Sequence, residues 1–192
     1  MYSVFFPIIV VQFLIPSQEK FHMKKLIAAA LLFASFSFTI TGDGDKIPSA
    51  TLKKLDGSKV NSSTFSNDGK PMIISFWATW CKPCIAELNA IHDNYPEWTK
   101  ETGVKLIAIS IDDARSVARV LPFVKTKGWQ YEVYTDENQD FKRVMNVNNP
   151  PQTFLVDGKG NIVWSHTGYS EGDEEKLFEN VKKVAAGQAA SH

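Results

Sequence analysis

The stretch from Phe76 to Cys84 reads FWATWCKPC and holds both cysteines of the 192-residue chain. A β-prone apolar run, Met72 to Trp77 (MIISFW), stops just as this stretch begins. After it, Ile85, Leu88, Ile91, Tyr95 and Trp98 recur every three or four residues, which predicts a helix from Lys82 to about Lys100. Cys81 therefore falls at a strand-to-helix junction, on the helix N-terminus. Backbone N–H groups there are unpaired and the local dipole is positive, and both favour a thiolate. A cysteine so placed has its pKa lowered from about 8.5 into a range of roughly 3.5–7.5. Lys82 adds positive charge, and Pro83 suits a first turn, where its missing N–H costs nothing. Cys84, one turn further in, is expected to be the less exposed sulfur.

Two lone cysteines at this spacing can close on each other and reopen, so the pattern reads as a redox switch. Cys81 would attack a disulfide and Cys84 would resolve the mixed disulfide. Other uses of the pair are weaker. A structural disulfide across so short a loop constrains the unfolded chain little. A zinc site needs two more ligands, and His22, His92, His166 and His192 form no pair at ligand spacing. Inert buried cysteines would leave the strand–CxxC–helix context without a purpose.

The length suits one domain once the N-terminus is set aside, and 44% hydrophobic residues supply a core. The formal net charge is zero and no basic stripe is present, so no nucleic-acid partner is expected. Met23-Lys-Lys followed by the apolar run Leu26 to Ile40 has the build of a secretory signal. The run is short of the roughly 20 residues a membrane span needs. The earlier apolar run, Val4 to Ile15, is broken by Pro7, so residues 1–22 read as an upstream extension with Met23 as the start. Residues 1–41 are thus assigned to an extension plus signal peptide, or to an N-terminal membrane anchor. Residues 42–187 form the domain and 188–192 a tail expected to fray. Export to the periplasm is expected, with anchoring to the outer face of the inner membrane as the alternative. Outside the cytosol disulfides persist, so a dithiol there needs a partner that keeps it reduced, or it works as an oxidant.

Further elements follow from the pattern. Ala50–Lys53 and Lys59–Val60 around Asp56-Gly57 predict a hairpin. Val104–Ile109 predicts a buried strand, and Asp113–Lys127 a helix that Pro122 kinks or splits. Tyr131–Thr135 predicts a strand and Gln139–Met145 a short helix. Thr153–Val156 and Ile162–Ser165 flank a hairpin turn at Asp157–Gly160, and Asp173–Ala186 closes as an amphipathic helix. The alternation gives an α/β fold: a mixed central sheet with helices on both faces.

In this order the residues resemble the thioredoxin superfamily, and within it the TlpA/ResA-type branch of exported thiol-disulfide oxidoreductases. The resemblance covers about Lys46 to Ala186. It is carried by FWATWCKPC, by Glu87 three residues after Cys84, by IAISIDD (Ile107–Asp113) and by PQTFLVDGKGNIV (Pro151–Val163). It implies a thioredoxin-like fold with an N-terminal hairpin extension and a central insertion. It implies that Pro151 is a cis-proline facing the cysteine pair, with Pro150 before it in a client-docking strand. Ser75 stands where thioredoxin has a buried aspartate, and Glu87 is read as supplying that carboxylate. Asn89 stands where many relatives carry a helix-kinking proline.

The candidate site is therefore Cys81, Cys84 and Glu87 for catalysis, Lys82 and Pro83 as the intervening dipeptide, and Trp80, Pro150 and Pro151 for docking. Trp77 reads as core, His92 as helix surface, and Asp112-Asp113 as a helix-start cap rather than a metal site. No metal and no cofactor beyond the Cys81–Cys84 disulfide are expected. The partners implied are protein disulfide or dithiol clients and a membrane or periplasmic electron donor, acting on a monomer. Reduction of protein disulfides, in cytochrome c maturation or for another dedicated client, is the leading reading. An oxidant or isomerase of the same fold is the nearest rival. A copper chaperone would want wider cysteine spacing, with His166 as its third ligand. A peroxidase would want a lone cysteine near Thr and Arg.

Overall fold

The structure is a computed structural model and describes residues 45–191. The expectations for the extension, signal or anchor in residues 1–41 lie outside the described residues. One seven-stranded mixed sheet carries the fold, in the order β2-β1-β5-β4-β3-β6-β7. Its strands are β1 (Thr51–Lys54), β2 (Lys59–Asn61), β3 (Met72–Trp77), β4 (Lys105–Ser110), β5 (Glu132–Thr135), β6 (Gln152–Val156) and β7 (Ile162–Thr167). The helices are α1 (Lys82–Thr102), α2 (Val120–Lys127), α3 (Asp140–Val144) and α4 (Asp173–Ala185).

All six residues of β3 are buried, as a central strand covered on both faces requires. It pairs in parallel with β4 and antiparallel with β6. Side chains alternate across a strand, so Ile73, Ser75 and Trp77 share one face and Ile74 and Phe76 the other. On the first face α1 lies over Ser75. Phe123 of α2 and Trp129 close on Trp77, with ring centroids 5.7 and 5.0 Å away. The terminal helix α4 packs on α1 through stacked Trp98 and Phe178 rings. On the second face Phe141 of α3 meets Phe76 at 5.3 Å. Helices thus cover both faces, and Trp77 is core. The β1–β2 hairpin adds an antiparallel edge against β5. Gly57 at its turn takes φ 87°, a left-handed value open to glycine. The segment carrying α2 is a crossover between the parallel strands β4 and β5 and forms the central insertion.

Three expectations change. Asp113–Lys127 is not one kinked helix. A turn at Asp113 and a short 3-10 stretch (Val117–Arg119) precede α2, so Pro122 falls in the first turn of α2, where its missing N–H removes no intrahelical bond. The helix α1 instead runs through Pro96 and ends at Gly103, whose φ of 68° terminates it. The tail is not frayed at Ser191, whose backbone N–H and carbonyl both pair with the buried Asn180 amide at 2.8 and 3.0 Å.

Candidate functional site

The site starts where β3 ends. The Trp77 carbonyl still accepts the Ile111 N–H at 2.8 Å, extending the β3–β4 ladder. The chain then turns, and the Cys81 N–H returns to the Ala78 carbonyl at 3.0 Å. Cys81 is the N-cap of α1, with extended backbone (φ −93°, ψ 97°), and makes no side-chain cap bond. The first turn of α1 has no acidic residue of its own to offset the positive end of the helix. Lys82 and Pro83 are exposed at its first two positions. Cys81 is 6% exposed and Cys84 0%, the expected order of accessibility. Their sulfurs are joined in a disulfide, with Cα atoms 5.4 Å apart.

Three residues beyond Cys84, on the same side of α1, Glu87 is 4% exposed. Its carboxyl accepts the Thr153 hydroxyl at 2.7 Å and the Ser75 hydroxyl at 3.2 Å. Ser75 and Thr153 lie directly opposite each other on β3 and β6, which aims both hydroxyls at the helix above. Burial pushes the Glu87 pKa up to about 7, against the lowering effect of the two hydroxyls. A carboxyl thus stands over Ser75, where the resemblance located the missing acid. Such a group can hold or release a proton near neutrality, beside the helix turn that carries the disulfide.

The Pro150–Pro151 peptide bond is cis, as the resemblance implied. Pro151 is buried and Pro150 half-buried at the start of β6. The Pro151 carbonyl is taken by the Gly168 N–H at 2.8 Å. Trp80 is 60% exposed beside the cysteine turn. It walls a shallow groove with Ile111, Arg115, Arg119 and Gln139.

Two readings need correction. His92 is half-buried rather than fully on the surface, with its ring edge-on to Tyr131. Asp112 is not a helix cap. It is fully buried and bonds to Thr79 and Ser110, while Asp113 holds the following turn through the Arg115 N–H and the Ser116 hydroxyl. Sequence reasoning does not single out Thr153. The available signal was polarity on buried strands: Ser75 inside MIISFW and Thr153 inside QTFLV each need a partner. His166, weighed as a third copper ligand, stands 3.5 Å from the Asp173 carboxyl.

A disulfide at a helix start, on a mixed sheet with a cis-proline ahead of a neighbouring strand, defines a thioredoxin-like thiol-disulfide oxidoreductase. The chain belongs to the AhpC/TSA family, which matches residues 44–165. It is 31% identical over 141 residues to the thiol-disulfide oxidoreductase ResA of Bacillus thuringiensis subsp. konkukian, spanning 73% of this chain and 78% of the relative. A thioredoxin-like protein of Porphyromonas gingivalis is 49% identical, with TM-score 0.66, over 73% of this chain and 92% of that one. A thio-disulfide isomerase of Thermus thermophilus is 30% identical, with TM-score 0.56, over 71% and 93%.

Proposed function

We propose that this enzyme works outside the cytosol as a reductant of protein disulfides, with Cys81 as nucleophile, Cys84 as resolving thiol and Glu87 as proton partner. The observation that carries the reading is the Cys81–Cys84 disulfide at the start of α1, with Cys81 at the N-cap the more exposed sulfur and the buried Glu87 carboxyl one turn beyond Cys84. In the reduced enzyme the Cys81 thiolate attacks one sulfur of a client disulfide, and the first client thiolate leaves and takes up a proton. The Cys84 thiol passes its proton to Glu87 and attacks the Cys81 sulfur. The second client thiolate leaves, protonated in turn, and Cys81–Cys84 is left oxidised. Two electrons have moved to the client, and a membrane or periplasmic dithiol donor returns the enzyme to its reduced form.

Trp80, Pro150 and Pro151 form the docking rim in this reading. The exposed indole gives a client an apolar surface beside the sulfur. Export rests on the basic-then-apolar sequence of residues 23–40. Cytochrome c maturation, or another dedicated client, is the proposed destination of the electrons. The test is trapping: Cys84→Ser should accumulate mixed disulfides with clients, and Cys81→Ser should accumulate none. Equal trapping by both variants would sink the assignment of roles.

A further inference from the structure

Asp112 follows the last residue of β4 by two positions and is 0% exposed. Its carboxyl oxygens accept the Thr79 N–H at 2.8 Å, the Thr79 hydroxyl at 2.6 Å and the Ser110 hydroxyl at 2.8 Å. Thr79 lies inside the turn closed by the Cys81 N–H on the Ala78 carbonyl. The Asp112 side chain thus grips the cysteine turn two residues ahead of Cys81, through both the backbone and the side chain of Thr79. We infer that Asp112 is a positioning residue for the redox pair, holding Cys81 where its sulfur can close on Cys84.

The two sulfurs differ in how firmly the fold holds them. Cys84 is within the first turn of α1, a 21-residue helix whose buried face packs on the sheet. Cys81 is the N-cap, outside the helical backbone, and its position follows the preceding turn. In the disulfide the two sulfurs are joined whatever the turn does. In the dithiol they meet only as often as the turn brings Cys81 to Cys84. Closing the ring is an intramolecular reaction, so its equilibrium tracks the fraction of time spent in the closing geometry. A turn held by two hydrogen bonds to a buried carboxyl raises that fraction, and a loosened turn lowers it. The two bonds from Thr79 join the cysteine turn to the start of the central insertion, and the Ser110 hydroxyl fixes the Asp112 carboxyl from the end of β4.

The inference rests on the reading that Cys81 and Cys84 cycle, and its experiment separates the two. The exchange is Cys81-SH plus Cys84-SH plus oxidised glutathione, giving the intramolecular disulfide plus two reduced glutathiones. Its equilibrium constant is measured for the wild type, Asp112→Asn, Thr79→Val and Thr79→Ser, with the melting temperature of each form recorded alongside. Asp112→Asn puts an amide donor in place of one of the two oxygens that take the Thr79 donors, and should shift the equilibrium at least fivefold toward the dithiol. Thr79→Val loses only the hydroxyl bond and should shift it at least threefold the same way. Thr79→Ser keeps both bonds and should stay within twofold of wild type. A tenfold shift would be about 30 mV for this two-electron couple.

A merely structural Asp112 would lower the melting temperature and leave the equilibrium within twofold of wild type in both altered variants, and that result overturns the inference. If Asp112→Asn does not fold, the milder Thr79→Val, with Thr79→Ser beside it, decides alone. A wild-type pair that never equilibrates with glutathione would instead overturn the cycle on which the inference stands.

Discussion

Thr153 donates its hydroxyl to Glu87 at 2.7 Å, joining β6 to α1 across 66 residues of sequence. The contact sits where two opposing effects meet. Burial drives the Glu87 carboxyl toward its neutral form, and the hydroxyls of Thr153 and Ser75 draw it back toward the carboxylate. The balance leaves it titrating at about 7, where a thiol-exchange enzyme can use both forms.

Glu87→Gln should flatten the pH dependence of the resolving step. In the wild type the carboxylate accepts the Cys84 proton, so the rate should rise with pH through about 7, the Glu87 value. The glutamine variant should lack that rise in a stopped-flow pH–rate profile. An unchanged profile would leave Glu87 with a packing role only.

The same residue sets a stability slope. Folding raises the Glu87 pKa from the ordinary 4.5 to about 7, so between those values the folded chain holds a proton that the unfolded chain has lost. The stabilisation is complete below about 4.5 and fades as pH rises through about 7. At 1.36 kcal/mol per pH unit the loss is on the order of 3 kcal/mol. Denaturant unfolding at pH 5 and pH 8 should show this fall in the wild type, and Glu87→Gln should remove most of it.

Thr153→Val removes the nearer hydroxyl and should move the Glu87 titration above its present value of about 7, because that hydroxyl favours the charged form. Leaving a buried acceptor short of one donor should also cost about 1–3 kcal/mol of stability above the titration point. Carboxyl carbon NMR of labelled glutamate follows the first effect directly. A downward shift would reverse the account of this pair.

Pro150 has no N–H to give a client strand, and the carbonyl of Pro151 is already bonded to Gly168. A client that docks by strand addition therefore lacks one backbone bond, worth roughly 0.5–1.5 kcal/mol. Insulin reduction should be slow compared with that of a general thioredoxin and should improve in Pro150→Thr. Fast wild-type insulin reduction with no gain in the variant would place Pro150 away from the docking edge.

Much of this architecture was legible because the sequence patterns were local. MIISFW predicts β3 with its observed bounds, and the three–four spacing after Cys81 predicts the first five turns of α1. Cys81 and Cys84 fall out of one short line, whereas spacing alone leaves Glu87 an exposed helix glutamate and only the resemblance to the TlpA/ResA-type branch singles it out. The partners of Glu87 were hidden, because Ser75 and Thr153 become neighbours only when β3 and β6 pair antiparallel. Asp112 was misread for a related reason. An acidic pair before a helical pattern looks like a cap, yet the β3–β4 ladder carries Asp112 alongside Thr79, 33 residues back. Local propensity could not distinguish a cap from a grip between loops. Pro122 was misread as a break because its effect depends on where the helix starts, a boundary that periodicity alone leaves loose.

The direction of electron flow is read from the reduction potential of the Cys81–Cys84 couple, measured by equilibration with glutathione at pH 7. An enzyme that delivers electrons to protein disulfides should lie near thioredoxin's value of about −270 mV. A value near −120 mV, that of a strong oxidant, or near the −180 mV of an isomerase, would contradict the proposed direction of electron flow.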